Sequence, residues 1–213
     1  MTMMTRVRAA ALGAVAMLLA ACAALPPAEV GEGMLPVDVE RFTLEGKVGW
    51  RHPEGRGSAN LTWEQYDDDF RLLLTGPLGA GAVLLESDAN GVRLDSPEGE
   101  RHAAVADDLL AETLGFSVPV DQARWWVLGL PAPVGVAITT AMVHEEDEWG
   151  RAAAVEQDGW QIRWSDRRLV DDYSLPRRIV ISRGDMQLTL VVGAWSLAPP
   201  AVGQSAMRAP APN

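Results

Sequence analysis

Apolar and polar residues alternate along much of this chain. Phe42, Leu44, Gly46, Val48 and Trp50 share one parity, and Thr43, Glu45, Lys47 and Gly49 the other. A period of two is the mark of a strand with one buried face. It returns over residues 58–65, with Leu61 and Trp63 on one side, and over 70–75. Residues 82–87 and 92–95 flank Asp88-Ala89-Asn90-Gly91, where Asn-Gly predicts a hairpin turn. Further strands are predicted at 152–157, 160–165, 178–182 and 186–195, with turns at Asp158-Gly159 and Arg183-Gly184-Asp185. Two stretches change to helical spacing. Residues 106–114 gather Leu109, Leu110 and Leu114 ahead of Gly115, and 120–128 gather Val120, Trp125 and Leu128 ahead of Gly129 and Pro131. The class is mainly β with helices: an antiparallel meander whose curved sheet, open or closed, is covered on one side.

The ends lack this periodicity. Residues 24–39 are rich in Pro, Gly and Ala and read as a flexible tether. Residues 198–213 carry Pro199, Pro200, Pro210 and Pro212 without an apolar face and read as a disordered tail. Between them, 39–197 has the size of one domain, with no internal repeat. At the start, Arg6 and Arg8 precede an apolar run over 9–20, broken only by Gly13. A bilayer about 30 Å thick takes about 20 residues to span, so this run is too short. It suits the apolar core of a secretory signal.

Composition sharpens that reading. The chain of 213 residues has one cysteine, Cys22, which excludes an internal disulfide and a cysteine-based zinc site. Leu19-Ala20-Ala21-Cys22 closes the apolar run and resembles the bacterial lipobox. The resemblance implies that residues 1–21 are removed and that Cys22 is acylated on its thiol and on its new amine. The alternative is an ordinary signal cut near Ala21, with Cys22 incidental. Residue 23 is Ala rather than the Asp that retains lipoproteins at the inner membrane, so the same resemblance implies an outer-membrane protein facing the periplasm. Several acyl chains make such attachment durable. The net charge of −11 and the single lysine, Lys47, exclude a nucleic-acid binder, which needs a basic footprint. Attraction to anionic headgroups is excluded as well, so lipid must do the holding.

No catalytic constellation emerges. His52, His102 and His144 lie in separate segments without metal-ligand spacing. His144-Glu145-Glu146-Asp147-Glu148 lacks the second histidine of a zincin helix and reads as a solvated charge run. Asp67-Asp68-Asp69 has no EF-hand spacing after it and reads as a turn. Gly76, Gly79 and Gly81 follow a strand in the wrong order for a dinucleotide loop, and no Gly-x-Ser-x-Gly elbow exists. No catalytic residue, metal or cofactor is expected, and the chain reads as a non-enzyme.

Several short motifs occur in a fixed order: Phe42-x-Leu44-x-Gly46-Lys47-Val48, Leu61-Thr62-Trp63-Glu64-Gln65, and Arg71-Leu72-Leu73-Leu74-Thr75-Gly76-Pro77-Leu78-Gly79. Trp125-Trp126-Val127-Leu128-Gly129-Leu130-Pro131, Gln157-Asp158-Gly159-Trp160 and Leu175-Pro176-Arg177-Arg178-Ile179 follow. With the lipobox, this series resembles the LolB family of outer-membrane lipoprotein receptors. The resemblance implies an incomplete antiparallel β-barrel of about eleven strands around an apolar cavity, with a helical lid. It also implies a soluble partner, the periplasmic carrier LolA, which hands over the acyl chains of lipoproteins for release into the outer membrane. A monomer is expected. Such chains need a large apolar pocket, and tryptophan, with eight copies here against three Phe and two Tyr, gives area with few rotamers. The cavity candidates are Trp63, Trp126, Trp160, Leu61, Leu72, Leu74, Leu110 and Val127, with simple core filling as the competing role. Leu78, between Pro77 and Gly79, sits among residues too small to bury it. The resemblance implies that it protrudes and helps delivery to the membrane; the alternative is a leucine folded back on a strand end. A structural or assembly lipoprotein that binds protein partners through its sheet, with no need for a cavity, is the competing function. A periplasmic hydrolase using the histidines is a third.

Overall fold

The computed structural model describes residues 33–77, 81–88 and 90–197. Eleven strands form one antiparallel, unclosed sheet. They are β1 Arg41–His52, β2 Gly55–Tyr66, β3 Asp69–Thr75, β4 Ala82–Asp88, β5 Gly91–Ser96, β6 Gly99–Ala103, β7 Met142–Glu146, β8 Ala152–Gln157, β9 Trp160–Val170, β10 Tyr173–Arg183 and β11 Met186–Ser196. Two helices, α1 Ala106–Leu114 and α2 Val120–Leu128, lie between β6 and β7. The spatial order is β6-β5-β4-β3-β2-β1-β11-β10-β9-β8-β7. Each half is a meander of sequence neighbours, and the β1–β11 pair joins the halves.

The two helices have the predicted bounds because their stops are unambiguous. Gly115 (φ 77°) and Gly129 (φ 83°) both take the left-handed conformation that ends a helix at low cost. A Cβ on Gly129 would also lie 2.8 Å from Nη1 of Arg167. The strands differ from expectation mostly at the margins. β6 and β7 are extra, and β9 and β10 run past their predicted ends. The charge run 144–148 begins inside β7, every residue of which is exposed. The chain is also bonded to the sheet ahead of Val39: the Met34 amide donates to Asp172 O (2.9 Å) and the Ser174 amide to Met34 O (2.9 Å).

Alternation fixes the faces. Phe42 and Leu44 on β1, Leu61, Trp63 and Gln65 on β2, and Phe70 and Leu72 on β3 turn inward. The outer face of β2–β6 carries alternating charge: Arg71 bridges Glu64 and Glu86, and Arg93 bridges Glu86 and Glu100. Such exposed pairs add little stability each, but opposite charges facing across strands favour the observed register. Opposite Glu45 and Gly46, Gly193 is an extra residue on β11, and this bulge bends β11 against β1. Only glycine fits at position 46, because a Cβ on Gly46 would come within 2.5 Å of Val191 O.

The pairings give the sheet two rims. The β1/β2, β3/β4, β5/β6, β8/β9 and β10/β11 connections lie at one rim, called upper here. The β2/β3, β4/β5, β7/β8 and β9/β10 turns, with Met34 beside Tyr173, lie at the lower rim.

Candidate functional site

Between the inner sheet face and the helices lies a cavity of about 120 Å³. The sheet supplies Val48, Trp50, Leu61, Trp63, Leu72, Leu74, Val83, Leu85, Ile181, Leu188 and Leu190; the helical segment supplies Leu110, Leu114, Phe116, Val118, Val120, Ala123 and Val127. Every lining residue is apolar. Of the two ring nitrogens among them, those of Trp50 and Trp63, Trp63 Nε1 donates to Gln65 Oε1 (2.9 Å), whose amide donates in turn to Asp67 O (2.8 Å) and Asp69 O (3.1 Å). The wall therefore offers a ligand dispersion contact and no demand for a polar partner. At the upper rim Trp50 and His52 both pack on Phe116, with ring centroids 6.0 and 5.6 Å apart.

Leu61, Trp63, Leu72, Leu74, Leu110 and Val127 all line this cavity. Trp126 and Trp160 do not. One residue along a helix is a turn of roughly 100°, so Val127 faces the cavity while Trp126 points to the β8–β9 corner. There Trp126, fully buried, packs on Trp160 with ring centroids 6.1 Å apart. Its Nε1 donates to Gln157 Oε1 (3.2 Å), and Trp164 Nε1 donates to Trp126 O (2.6 Å). This is packed core. The wall residues missed from sequence, such as Val48, Ile181 and Leu190, carried the correct parity; the missing signal was which strands the helices cover.

Polar groups hold α2 at both ends. At its N-terminal end Gln122 donates to Asp158 Oδ2 (2.9 Å). At its C-terminal end Arg167 donates to Gly129 O (3.2 Å), Ser174 O (3.0 Å) and Ala152 O (3.2 Å). Gln157 holds the next turn, accepting from the Ala132 amide (2.9 Å) and donating to Ala132 O (2.8 Å) and Thr139 O (3.1 Å). Helix α1 is held more lightly. Asp107 accepts from the Val120 amide (3.3 Å), and burial, with Asp121 and Asp108 nearby, pushes its carboxyl above the usual range. Arg101 meets Glu112 at 3.5 Å on the surface.

Asp158 also accepts from the Ile138 amide (2.8 Å), the Thr139 amide (2.8 Å) and the Thr139 hydroxyl (2.7 Å). Desolvation works against its charge, but these donors and Gln122 outweigh it and hold the carboxyl below the ordinary value. Asp158→Ala should therefore cost about 1–2 kcal/mol. It should also speed hydrogen exchange selectively at the Ile138 and Thr139 amides, measurable by mass spectrometry.

Pro77 is exposed at the end of β3, on the upper rim; Cys22, Leu78 and Gly79 lie outside the described residues. The histidines stay apart: His52 on Phe116, His102 on Glu100 (2.9 Å) and His144 near Glu156 (3.6 Å). Among the described residues no cluster of metal-ligating side chains occurs, and no helix is long and apolar enough to cross a membrane.

Residues 40–195 match the family model described as outer membrane lipoprotein LolB. The outer-membrane lipoprotein LolB of Chromohalobacter salexigens is 37% identical over 189 residues, covering 84% of this chain and 86% of that protein. The Stutzerimonas stutzeri protein of the same name is 36% identical over 192 residues, covering 84% and 91%. Among solved structures, a LolA superfamily protein of Nitrosomonas europaea aligns over 76% of this chain and 88% of its own, with a TM-score of 0.49 and 9% identity.

Proposed function

This chain belongs to the LolB family of outer membrane lipoproteins, and from that premise we propose that it receives lipoproteins from a LolA-type periplasmic carrier and inserts them into the outer membrane. On this reading residues 1–21 are the signal, Cys22 carries the lipid anchor, 22–38 link it to the receptor body 39–197, with Met34 already bonded to the sheet, and 198–213 form a tail. The protein acts as a monomer on the periplasmic face. The observation that carries this reading is the wholly apolar wall between sheet and helices. A scaffold that binds partners through its sheet does not need such a space.

A cavity of about 120 Å³ is smaller than usual ligand sites, which run about 300–1,000 Å³. Loading therefore requires the cover to move. Helix α2 is bonded at both ends, so α1, resting on Leu109 and Leu110, is the part that lifts. Direction without nucleotide comes from graded affinity, about 1.4 kcal/mol for each tenfold step from carrier to receptor to bilayer. The acidic body suits electrostatic steering towards a basic face on the carrier.

Leu78, flanked by Pro77 and Gly79, is the delivery residue on this reading. Leu78→Glu should accept a labelled lipoprotein from LolA as the parent does, yet pass much less of it to acceptor vesicles. Unchanged delivery by that variant would overturn the role of Leu78. Failure of the parent protein to accept cargo from LolA would overturn the receptor itself.

A further inference from the structure

We infer that the loop entering β7, residues 134–143, is a second lipid-contacting element on the upper rim. It is an exposed apolar ridge. Ile138 is 88% exposed, Val134 70% and Met142 63%, with Val136 and Val143 also exposed. The exposure is built in. The Ala137 and Val136 amides both donate to Pro133 O (3.0 and 3.1 Å), and the Ile138 and Thr139 amides donate to Asp158. Fixed in this way, the loop turns Ala137 inward (3% exposed) and Ile138 outward.

The chemistry of the ridge selects its partner. Residues 129–143 contain no charged side chain and no aromatic one, in a chain of net charge −11. Protein hot spots are rich in Trp, Tyr and Arg, and none is here. Projecting aliphatic side chains without charge fit a fluid acyl boundary, which needs no shape complement. An uncharged ridge also lets an acidic body approach headgroups at its least repulsive point.

The chain outside the structure supplies the reach. This inference rests on the reading that Cys22 is the lipid anchor. From Cys22 to Gly33 the backbone spans at most roughly 40 Å. A twelve-residue strand such as β1 is about 40 Å long. Fully extended, the tether, though it enters at the lower rim, just matches the length of the sheet, which lets the upper rim meet the same bilayer. The β3/β4 connection that contains Leu78 leaves the sheet at that rim too.

The test uses full-length lipidated protein carrying Ile138→Cys, in which acylation of Cys22 leaves one free thiol. An environment-sensitive fluorophore is placed on that thiol and the protein is reconstituted in phosphatidylcholine vesicles. Arg178→Cys, on the outer face of β10, is the control, and Val134→Cys is a second site in case a label at 138 disturbs the loop. Expected are co-flotation with vesicles, a severalfold rise in emission at 138 and 134, and quenching by spin-labelled lipid, with none of these optical changes at 178. Flotation with an aqueous signal at both loop sites overturns the ridge alone. An aqueous signal that becomes protected on adding LolA assigns the loop to the carrier and overturns it as well. Failure to float overturns the anchor at Cys22 and the ridge together.

Discussion

Replacing Asp147 by asparagine should cost the fold about 3 kcal/mol, the loss expected when a largely buried charge pair loses one partner. Asp147 stands in the β7/β8 turn on the lower rim. Its Oδ2 lies 2.8 Å from Arg151 Nε and 3.6 Å from Arg167 Nε, and the two arginine side chains are only 8% and 6% exposed. Arg151 Nη1 and Nη2 are buried without a hydrogen-bond partner, its guanidinium stacked on Trp149 at 4.6 Å. Burial, reinforced by the Arg151 charge, pulls the Arg167 pKa down to about 10, against the opposing pull of Asp147. One carboxylate thus serves two cations. Desolvation alone would raise the Asp147 pKa, but the Arg151 amide, the Arg151 guanidinium and the Trp149 amide outweigh it and hold the carboxyl low. A carboxyl lower in the folded state contributes stability that is complete above the unfolded value of about 3.9 and is lost as pH falls through the folded one. Chemical denaturation should therefore separate parent and Asp147→Asn at pH 7, with the gap narrowing progressively as pH falls below about 4. A constant gap down to pH 3 would mean that charge is not the source. Because Arg167 also bonds Gly129 O, the variant should loosen the C-terminal end of α2 first.

Ala123→Leu should weaken acyl binding at least tenfold without unfolding the protein. Ala123 is buried on α2 and faces the cavity. Three added carbons entering empty space would gain up to about 2 kcal/mol, at roughly 0.8 kcal/mol for each buried CH2. In a tightly packed core the same change costs about 1–3 kcal/mol. The sign of the change in Tm thus tells a cavity from a core, independently of any transfer assay. A fluorescent fatty-acid probe, displaced by lipopeptide, should bind at least tenfold more weakly to the variant. A more stable variant with undiminished probe binding would place the acyl chains elsewhere.

The sheet was legible wherever one face is buried and the other wet. On β1, β2 and β3 each second residue is apolar, and Leu61, Trp63, Leu72 and Leu74 came out on the cavity side. Edge strands have no such contrast. Gly99–Ala103 has no fully buried residue and Met142–Glu146 is wholly exposed, so neither carries a period. The later part of β9 was hidden for a related reason: Asp166 takes φ 55°, after which Arg167, a charged residue, occupies an inward place. The cavity was legible as a face but not as a boundary. Trp160 shares the inward face of β9 with Ile162 and Trp164, yet the Trp126 ring fills the space above it. Which part of a concave face stays empty depends on contacts distant in sequence, and Trp126 and Val127 differ only by one helical step.

The seam between β1 and β11 has a kinetic meaning. Thr43 pairs with Ser196, at opposite ends of the body, whereas every other strand pair joins neighbours in the chain. Local hairpins close small loops quickly, while a pairing across the whole body bears the largest closure entropy, growing as the logarithm of loop length. Leu190 and Val192, which complete the inner face opposite Val48 and Gly46, belong to that last strand. The apolar cavity is therefore incomplete until the C-terminal strand, which supplies Leu188 and Leu190 to its wall, has been made and paired.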